Sequence, residues 1–212
     1  MKKLFGLFVI AILILPALVR ADVSEGVDFV RVNPAQPVET GAKIEVREFF
    51  WYGCPACFSL EPVLGKWQKT MPKNAQFVRT PAIFNERWAV HARAHYAFEA
   101  LGITAKMHDA LFHALHVEKR PLVDAESLAT FVAEKGGNRQ AFLDAYNSFS
   151  MPANLNRALQ AGRAFNIDSV PTLIVDGKFM TSPHVPGGSE RLPQVLDFLV
   201  KLAAKERTTN KK

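Results

Sequence analysis

The hydrophobic pattern of the first half of the chain predicts a strand, a helix and a second strand. Residues 44–50 are rich in β-branched and aromatic side chains and lie between Gly41 and Gly53, as is typical of a buried strand. Residues 55–70 carry apolar side chains at helical spacing, and residues 76–80 form a second short apolar run. This order predicts a βαβ unit with parallel strands.

The pattern of the second half predicts a run of helices followed by a hairpin and a final helix. Residues 86–149 are helical in pattern throughout, which favours four short amphipathic helices without a strand between them. A longer helix at 152–165 leads to an apolar strand at 170–175, and Asp176-Gly177 then gives a hairpin turn signal. A last amphipathic helix follows Ser189, which is a good N-cap residue.

These elements predict an α/β protein with a thioredoxin-like fold that is interrupted by a helical insertion. We expect the thioredoxin-like domain to be discontinuous, with residues 22–84 and 152–207 on either side of an inserted helical domain at 85–151. Residues 1–21 precede it as a signal peptide, and residues 208–212 follow it as a basic tail.

The first 21 residues have the composition of a cleavable export signal. Lys2 and Lys3 precede an apolar run that Pro16 breaks, and a small-residue exit ends at Ala21. The run is shorter than the about 20 apolar residues that span a bilayer, although an uncleaved anchor is the alternative. Export to the periplasm would place a mature chain beginning near Asp22 where disulfides persist.

The formal net charge of +6 arises mainly at the two ends of the chain. Lys2, Lys3 and Arg20 belong to the expected signal, and the last twelve residues contain five basic side chains. Between these ends, acidic and basic residues nearly balance, and no basic stripe with interleaved aromatic residues occurs. The sequence therefore does not favour a nucleic-acid partner.

The two cysteines of the chain lie in the motif Cys54-Pro55-Ala56-Cys57, between the first predicted strand and its helix. A cysteine at a helix N-terminus faces unpaired N–H groups and the positive end of the helix dipole, so its thiolate is stabilised. Pro55 suits the first helical position, where a missing N–H costs nothing. This placement favours redox chemistry. The alternative is half of a zinc site completed by histidines, because the chain has no second cysteine pair.

Two histidine pairs have a spacing that could face a metal ion. His91 and His95 are four residues apart, and His113 and His116 are three apart, each pair on a predicted helix. Neither pair carries the adjacent glutamate of a zinc-protease motif, and packing or solvent-facing histidines are far commoner on amphipathic helices. We therefore expect no metal and no cofactor.

Taken together, these features resemble the DsbA-type thiol:disulfide oxidoreductases of the bacterial periplasm. The resemblance rests on the strand ending Glu48-Phe49-Phe50, the C-P-x-C pair, the helical insertion, and Val170-Pro171 before a strand. It covers residues 42–203, nearly the whole expected mature chain. It implies that Cys54 is the exposed nucleophile and Cys57 the buried second cysteine.

The resemblance also implies roles for Glu48, Val170 and Pro171. Pro171 matches a proline that follows a cis bond against the disulfide, and Val170 matches a residue that binds the substrate strand. A trans proline is the ordinary alternative. Glu48 matches a buried acid that exchanges a proton with Cys57, with Arg79 as a possible partner. Alternatively, Glu48 is solvated near the sheet edge.

Ala56 departs from the family pattern, since many members carry histidine at this position. An imidazole can support the Cys54 thiolate and a methyl group cannot, so Pro55 and Ala56 are expected to tune the strength of the oxidant. Trp51 and Tyr52 could line a groove for unfolded chains, or belong to the core as expected for Phe49 and Phe50.

The resemblance implies a monomeric enzyme that donates its disulfide to unfolded exported proteins with free thiols. A membrane quinone-linked oxidase of DsbB type would reoxidise it. A thioredoxin-like reductase or isomerase is the first alternative, although isomerases usually need a dimerisation domain, which the segment between Asp22 and Ile44 is too short to supply. A periplasmic metal-binding or metal-delivery protein is the second.

Overall fold

The computed structural model describes residues 22–209, so the expected signal at 1–21 and the last three residues of the expected tail lie outside it. Within the described residues there are five strands and seven helices. The strands are β1 Val30–Arg31, β2 Ile44–Phe50, β3 Ala75–Pro81, β4 Thr172–Val175 and β5 Phe179–Thr181. The helices are α1 Pro55–Thr70, α2 Glu86–Ala100, α3 Thr104–His116, α4 Ala125–Glu134, α5 Arg139–Tyr146, α6 Met151–Ala164 and α7 Gly188–Thr209.

The strands form one mixed sheet in the order β1-β5-β4-β2-β3. β2 pairs in parallel with β3, which confirms the predicted βαβ unit, and antiparallel with β4. All seven residues of β2 are buried. β2 therefore has a neighbouring strand on each side, and α1 begins beyond its carboxyl end.

Helices cover both faces of this sheet. On one face, α1 and α7 pack on apolar residues of β2, β4 and β5, with Leu64, Trp67 and Leu196 among the buried side chains. On the other face, Phe165 and residues of α6 contact Phe49 and Ile174. This two-sided arrangement confirms the expected α/β, thioredoxin-like fold.

Helices α2–α5 build a second hydrophobic core, as the periodicity of residues 86–149 predicted. Its buried residues include Phe98, Leu111 and Phe131, and it also contains Cys54 and Cys57. The cysteine motif therefore lies where helices α2–α5 pack against the end of the sheet.

The structure differs from the sequence expectation at both ends of the described chain. The two-residue edge strand β1 was not predicted, because Val30 and Arg31 pair only with β5 and are too few to show an alternating pattern. α7 continues through Thr209, two residues into the segment expected to be a basic tail. Among residues 22–209, no helix has the length and apolar character needed to cross a membrane.

Candidate active site

Cys54 and Cys57 lie at the junction of β2 and α1. Cys54 is the N-cap residue of α1 in extended backbone conformation, with φ −88° and ψ 117°, and Pro55 takes the first helical position. The backbone N–H of Cys57 donates to Cys54 Sγ at 3.4 Å. Both thiols are free. The sulfur of Cys54 therefore accepts hydrogen bonds at the positive end of the helix.

The two thiols have opposite tendencies to ionise. The thiol of Cys57 and the backbone N–H groups of Cys57 and Ala56 lower the pKa of Cys54 to about 6, with a contribution from the charge of His184, although burial opposes them. Burial raises the pKa of Cys57 far above its usual value, and the neighbouring Cys54 raises it further. At neutral pH, the negative charge therefore resides on Cys54.

Cys54 is less accessible than expected from the sequence. Cys54 was expected to be exposed, but its residue surface is only 9% exposed. Cys57 is 0% exposed, so Cys54 is still the more accessible of the two cysteines. Cys54 Sγ lies 3.5 Å from the carbonyl oxygen of Val170, and Trp51, Phe58 and Val170 pack around the apolar cluster that contains it. Any attacking thiol must approach the exposed edge of a recessed sulfur.

Val170 and Pro171 lie directly beside this sulfur. The Val170–Pro171 peptide bond is cis, so the ordinary alternative of a trans proline is wrong. Pro171 is buried and Val170 is half-buried. Both residues precede β4, which begins at Thr172 and not at Val170 as the apolar pattern predicted.

Glu48 is a buried carboxylate next to an arginine. It is 0% exposed on β2, between β3 and β4, so the alternative of a solvated edge position is wrong. Arg79 Nε donates to Glu48 Oε2 at 3.1 Å, and Arg79 Nη2 donates to Glu61 Oε2 at 2.8 Å. Arg79 is thus the cationic partner of Glu48 in the structure, and it is shared with Glu61.

Burial dominates the ionisation of Glu48. Burial and the charge of Glu61 raise the pKa of Glu48 to about 8, although Arg79 opposes them. The charge of Glu48 in turn raises the pKa of Cys57, which couples the two groups electrostatically. A carboxyl group that changes protonation near neutral pH beside a reacting thiol can exchange a proton with it.

The aromatic residues beside the cysteines divide into core and surface. Phe49, Phe50 and Tyr52 are 0% exposed, so Tyr52 belongs to the core and cannot line a substrate groove. Trp51 is half-buried and stacks on Trp88 with ring centroids 4.2 Å apart. Of the two residues suggested for a groove, only Trp51 remains available.

The two predicted histidine pairs make hydrogen bonds within the protein. His91 Nε2 lies 2.9 Å from the carbonyl oxygen of Leu122, and His95 Nδ1 lies 3.4 Å from the hydroxyl of Tyr52. His113 pairs with Glu118 at the surface, and His116 Nε2 lies 2.7 Å from the carbonyl oxygen of Tyr52. These contacts agree with packing and hydrogen-bonding roles.

Among residues 22–209, a different group brings potential metal ligands together. Ligand atoms of Glu61, His108 and Asp109 all lie within 4.8 Å of one another. The Arg79 guanidinium, bonded to Glu61, faces the same carboxylate and repels a cation.

Sequence reasoning missed Glu61, His108 and His184. Glu61 had a detectable signal, because it lies four residues after Cys57 and so shares a face of α1 with it. His108 lies on α3 and His184 in the segment between β5 and α7, and only tertiary packing brings them to the site. No spacing along the chain could have connected them to the cysteines.

Only one of the two sulfurs is stabilised as a thiolate, while its partner is held protonated one helical turn away. On a thioredoxin-like sheet, this asymmetry defines a thiol:disulfide oxidoreductase, in which one cysteine bonds the substrate and the other closes the disulfide.

Comparison with known proteins agrees with this class. A family model described as a DSBA-like thioredoxin domain matches residues 45–200. The thiol:disulfide interchange protein DsbA of Burkholderia cepacia is 38% identical over 205 residues, which cover 95% of this chain and 97% of that protein. DsbA of Pseudomonas aeruginosa is 36% identical over 191 residues, which cover 90% of this chain and 89% of that protein.

Solved structures give the same result. A crystal structure of Pseudomonas aeruginosa DsbA matches with a TM-score of 0.83 and 36% identity, covering 90% of this chain and 97% of that one. A DsbA from Xylella fastidiosa matches with a TM-score of 0.77 and 29% identity, covering 85% and 96%. The chain belongs to the family of DSBA-like thioredoxin domains. It is a protein-disulfide oxidoreductase that acts on protein thiols through Cys54 and Cys57.

Proposed function

We propose that the protein is a dithiol oxidase that donates the Cys54–Cys57 disulfide to reduced, newly exported proteins in the periplasm. The observation that supports this direction of transfer is the hydrogen bonding of Cys54 Sγ by the Cys57 thiol and by the backbone N–H groups at the N-terminus of α1, which together lower the pKa of Cys54 to about 6. A stabilised thiolate favours the reduced enzyme, so the oxidised enzyme tends to give its disulfide away.

The reaction consists of two thiol–disulfide exchanges. A substrate thiolate attacks Cys54 Sγ, the Cys54–Cys57 bond breaks, and Cys57 leaves as a thiolate that takes up a proton because its pKa is high. A second substrate thiolate then attacks the substrate sulfur of the mixed disulfide. The substrate is thereby oxidised to a disulfide, and Cys54 leaves as a stable thiolate.

Glu48 has the proton-exchange role in this mechanism. Its pKa of about 8 allows it to hold a proton at neutral pH, and its charge is coupled to that of Cys57. It gives a proton to the departing Cys57 thiolate, and it accepts one when Cys57 closes the disulfide again. Arg79 donates to Glu48 Oε2 and acts as a positioning residue.

The remaining site residues bind the substrate and adjust the potential. Val170 and Pro171 lie beside the exposed edge of Cys54, where an extended substrate segment would contact them. Pro55 starts α1, and Ala56 contributes its backbone N–H to the thiolate. Ala56 therefore supports the sulfur through its backbone, although its side chain cannot.

The same proposal covers the partners and the location of the enzyme. A membrane quinone-linked oxidase of DsbB type restores the disulfide, and the enzyme works as a monomer exported by its N-terminal 21 residues. The two segments of the thioredoxin-like domain, residues 22–84 and 152–207, carry the cysteines and Pro171, while the insertion at 85–151 covers the site. A metal-delivery function is less favoured because Cys57 is 0% exposed and poorly placed as a ligand.

Cysteine substitutions test the proposed reaction with the largest expected effect. Cys54→Ser is expected to abolish oxidation of a reduced, unfolded secreted protein, because the attacked sulfur is gone. Cys57→Ala keeps Cys54 as a nucleophile. Offered a disulfide-bonded protein, it is expected to attack that disulfide, release one substrate thiol and accumulate the mixed disulfide, since no second enzyme thiol resolves it. Formation of mixed disulfides is measured by non-reducing electrophoresis, with a Cys54→Ser, Cys57→Ala double variant as the blank.

Reoxidation of the wild type by quinone-containing bacterial membranes completes the test. Trapping by Cys54→Ser but not by Cys57→Ala would contradict the assignment of the two sulfurs. Wild-type protein that reduces disulfides but does not oxidise thiols would favour the reductase alternative.

A further inference from the structure

The turn at residues 51–54 leads from β2 into α1 and presents Cys54 at the N-terminus of the helix. The backbone N–H of Cys54 donates to the carbonyl oxygen of Trp51 at 3.0 Å, which closes the turn around Tyr52 and Gly53. Cys54 follows in extended conformation as the N-cap residue. The position of its sulfur over the first N–H groups of α1 therefore depends on the shape of this turn.

Gly53 gives the turn a conformational freedom that the other residues lack. Glycine adopts positive and negative φ about equally, so at the third position of a β-turn it allows the preceding peptide two orientations. A side chain is excluded here, because a Cβ on Gly53 would lie 2.3 Å from the ring of Trp51. The φ of Gly53 lies outside the left-handed region, so only one of the two orientations is present. The backbone alone does not select it.

The last residue of α3 holds the peptide between Tyr52 and Gly53. His116 Nε2 lies 2.7 Å from the carbonyl oxygen of Tyr52. A carbonyl oxygen offers only lone pairs, so Nε2 is the donor, in the neutral and in the protonated imidazole alike. The bond fixes the direction of the Tyr52 carbonyl, and with it the orientation of the peptide that Gly53 leaves free.

His116 also contacts the chain on the other side of the cysteine motif. Its ring stacks on the ring of Phe58, with centroids 5.0 Å apart and an interplanar angle of 7°. Phe58 directly follows Cys57, and its backbone N–H donates to the carbonyl oxygen of Cys54 at 3.1 Å. One side chain of α3 therefore touches the chain before and after the two cysteines.

We propose that His116 is a positioning residue for Cys54, which fixes the Tyr52–Gly53 peptide and thereby holds the sulfur at the N-terminus of α1. The proposal deepens the proposed function and rests on it, because a disulfide donor requires a stabilised Cys54 thiolate. Without the hydrogen bond, the turn also adopts shapes in which the sulfur lies away from the N–H groups of α1, so the thiolate is less stabilised. Helix α3 then contributes to the chemistry of the cysteines as well as covering them.

Two substitutions of His116 separate its N–H donor from its ring. Phenylalanine keeps a ring that can stack on Phe58 but has no N–H group, whereas glutamine has an amide N–H that can reach the position of Nε2. The pKa of Cys54 is read from thiolate absorbance against pH in the reduced protein. His116→Phe is expected to lower the acid dissociation constant of Cys54 about tenfold, and His116→Gln is expected to keep it within about twofold of the wild type.

His113→Phe is the matched control. It makes the same change on the same helix one turn earlier, at a side chain that is 55% exposed and lies 3.1 Å from Glu118 at the surface. The acid dissociation constant of Cys54 is expected to stay at the wild-type value in this variant. Thermal melts of every variant accompany the titrations, because a purely structural role of His116 would lower the melting temperature without changing the acidity of Cys54.

A measurement on the wild type tests the hydrogen bond without any substitution. Long-range ¹H–¹⁵N nuclear magnetic resonance spectra show which ring nitrogen of a histidine carries the proton. We expect Nε2 of His116 to carry it in the oxidised and in the reduced form. This result can be obtained even if His116→Phe does not fold.

Four results would overturn the positioning role: an unchanged Cys54 acidity in His116→Phe, an equal change in His113→Phe, a loss in His116→Gln as large as in His116→Phe, or a proton on Nδ1 alone. None of these measurements depends on the direction of disulfide transfer. A wild-type protein that reduces disulfides but does not oxidise thiols would contradict the proposed function, whereas the acidity of Cys54 in the variants tests His116 alone.

Discussion

Two glutamate–arginine clusters lie on the two faces of β2, and only one of them is completely paired. Glu45 and Arg47 belong to the face that meets α6. Glu45 Oε1 accepts from Arg47 Nε at 2.8 Å, and Glu45 Oε2 accepts from the backbone N–H of Glu39 at 2.8 Å. Arg47 Nη1 also donates to Thr80 at 2.7 Å. This cluster is saturated with hydrogen bonds.

Glu48 belongs to the opposite face, beneath the cysteines, and is paired at one oxygen only. Glu48 Oε2 accepts from Arg79, whereas Glu48 Oε1 is buried without a hydrogen-bond partner. Arg79 also forms an ion pair with Glu61, so one guanidinium is shared by two carboxylates. Complete hydrogen bonding therefore holds Glu45 in its charged form, whereas incomplete hydrogen bonding leaves Glu48 able to change its protonation state.

The largest expected contrast comes from neutralising the two glutamates in turn. Glu45→Gln is expected to destabilise the protein by about 3 kcal/mol, because it leaves Arg47 buried with a weaker partner. Glu48→Gln is expected to stabilise it by about 1–3 kcal/mol at pH 7, because glutamine resembles the protonated form that the folded protein already prefers. Denaturant unfolding of both variants measures the two changes.

The pH dependence gives a second check on this contrast. The folded pKa of Glu48, about 8, exceeds the unfolded value of about 4.3. The ionisable Glu48 side chain therefore lowers the free energy of unfolding. This loss begins as the pH rises above the unfolded pKa and reaches its full size above the folded pKa. The advantage of Glu48→Gln should vanish in acid near pH 4. If both variants destabilised the protein, Glu48 would be a stabilising charged residue like Glu45, which would contradict the contrast between the two clusters.

A smaller effect is expected from the charge on Cys54. Its folded pKa of about 6 lies below the unfolded value of about 8.5, so the reduced form gains stability as the pH rises between these values and loses it again in acid. At pH 7 the gain is about 1.4 kcal/mol, or roughly 3–6 °C in Tm. The disulfide closes a very short loop and adds little in compensation.

Paired thermal melts of the two redox forms from pH 5 to pH 8 measure this gain. The reduced form should melt at the higher temperature near neutral pH, with the gap closing in acid. Glu45→Gln should lower both melting temperatures without changing the gap, because that cluster is remote from the thiolate. An oxidised form that is more stable at pH 7 would indicate a reductase or a structural disulfide.

The smallest effect is expected at Ala56. Its side chain is exposed, and the backbone N–H of Ala56 already supports the Cys54 thiolate. Ala56→His would add an imidazole, lower the pKa of Cys54 further and raise the reduction potential by about 30 mV or less. Thiolate absorbance against pH measures the pKa. An unchanged value would show that the existing donors saturate the sulfur.

The sequence predicted the parts of this molecule that depend on local pattern. The βαβ unit, the four helices between Glu86 and Tyr146 and the position of Cys54 before a helix follow from hydrophobic spacing and from turn and cap residues. The edge strand β1 could not be predicted, because two residues have no measurable period. Its pairing with β5 depends on a contact across about 150 residues of chain.

The site was predictable only where its residues are adjacent in sequence or match a family motif. The Cys54–Cys57 motif and Glu48 were found in this way. The burial of Tyr52 and the contact between His108 and Glu61 could not be, because both arise from packing of α3 against α1 and the end of β2. Pairing of buried polar groups is a property of the folded chain, and the contrast between Glu45 and Glu48 has no counterpart in their sequence positions.

The central claim is that the folded protein stabilises the Cys54 thiolate enough to make the Cys54–Cys57 disulfide a donor. The most direct test is equilibration of this couple with defined mixtures of reduced and oxidised glutathione at pH 7, with the redox state read by alkylation of free thiols. The account predicts a reduction potential more positive than about −180 mV, the value of protein disulfide isomerase. A potential near about −270 mV, as in thioredoxin, would contradict it.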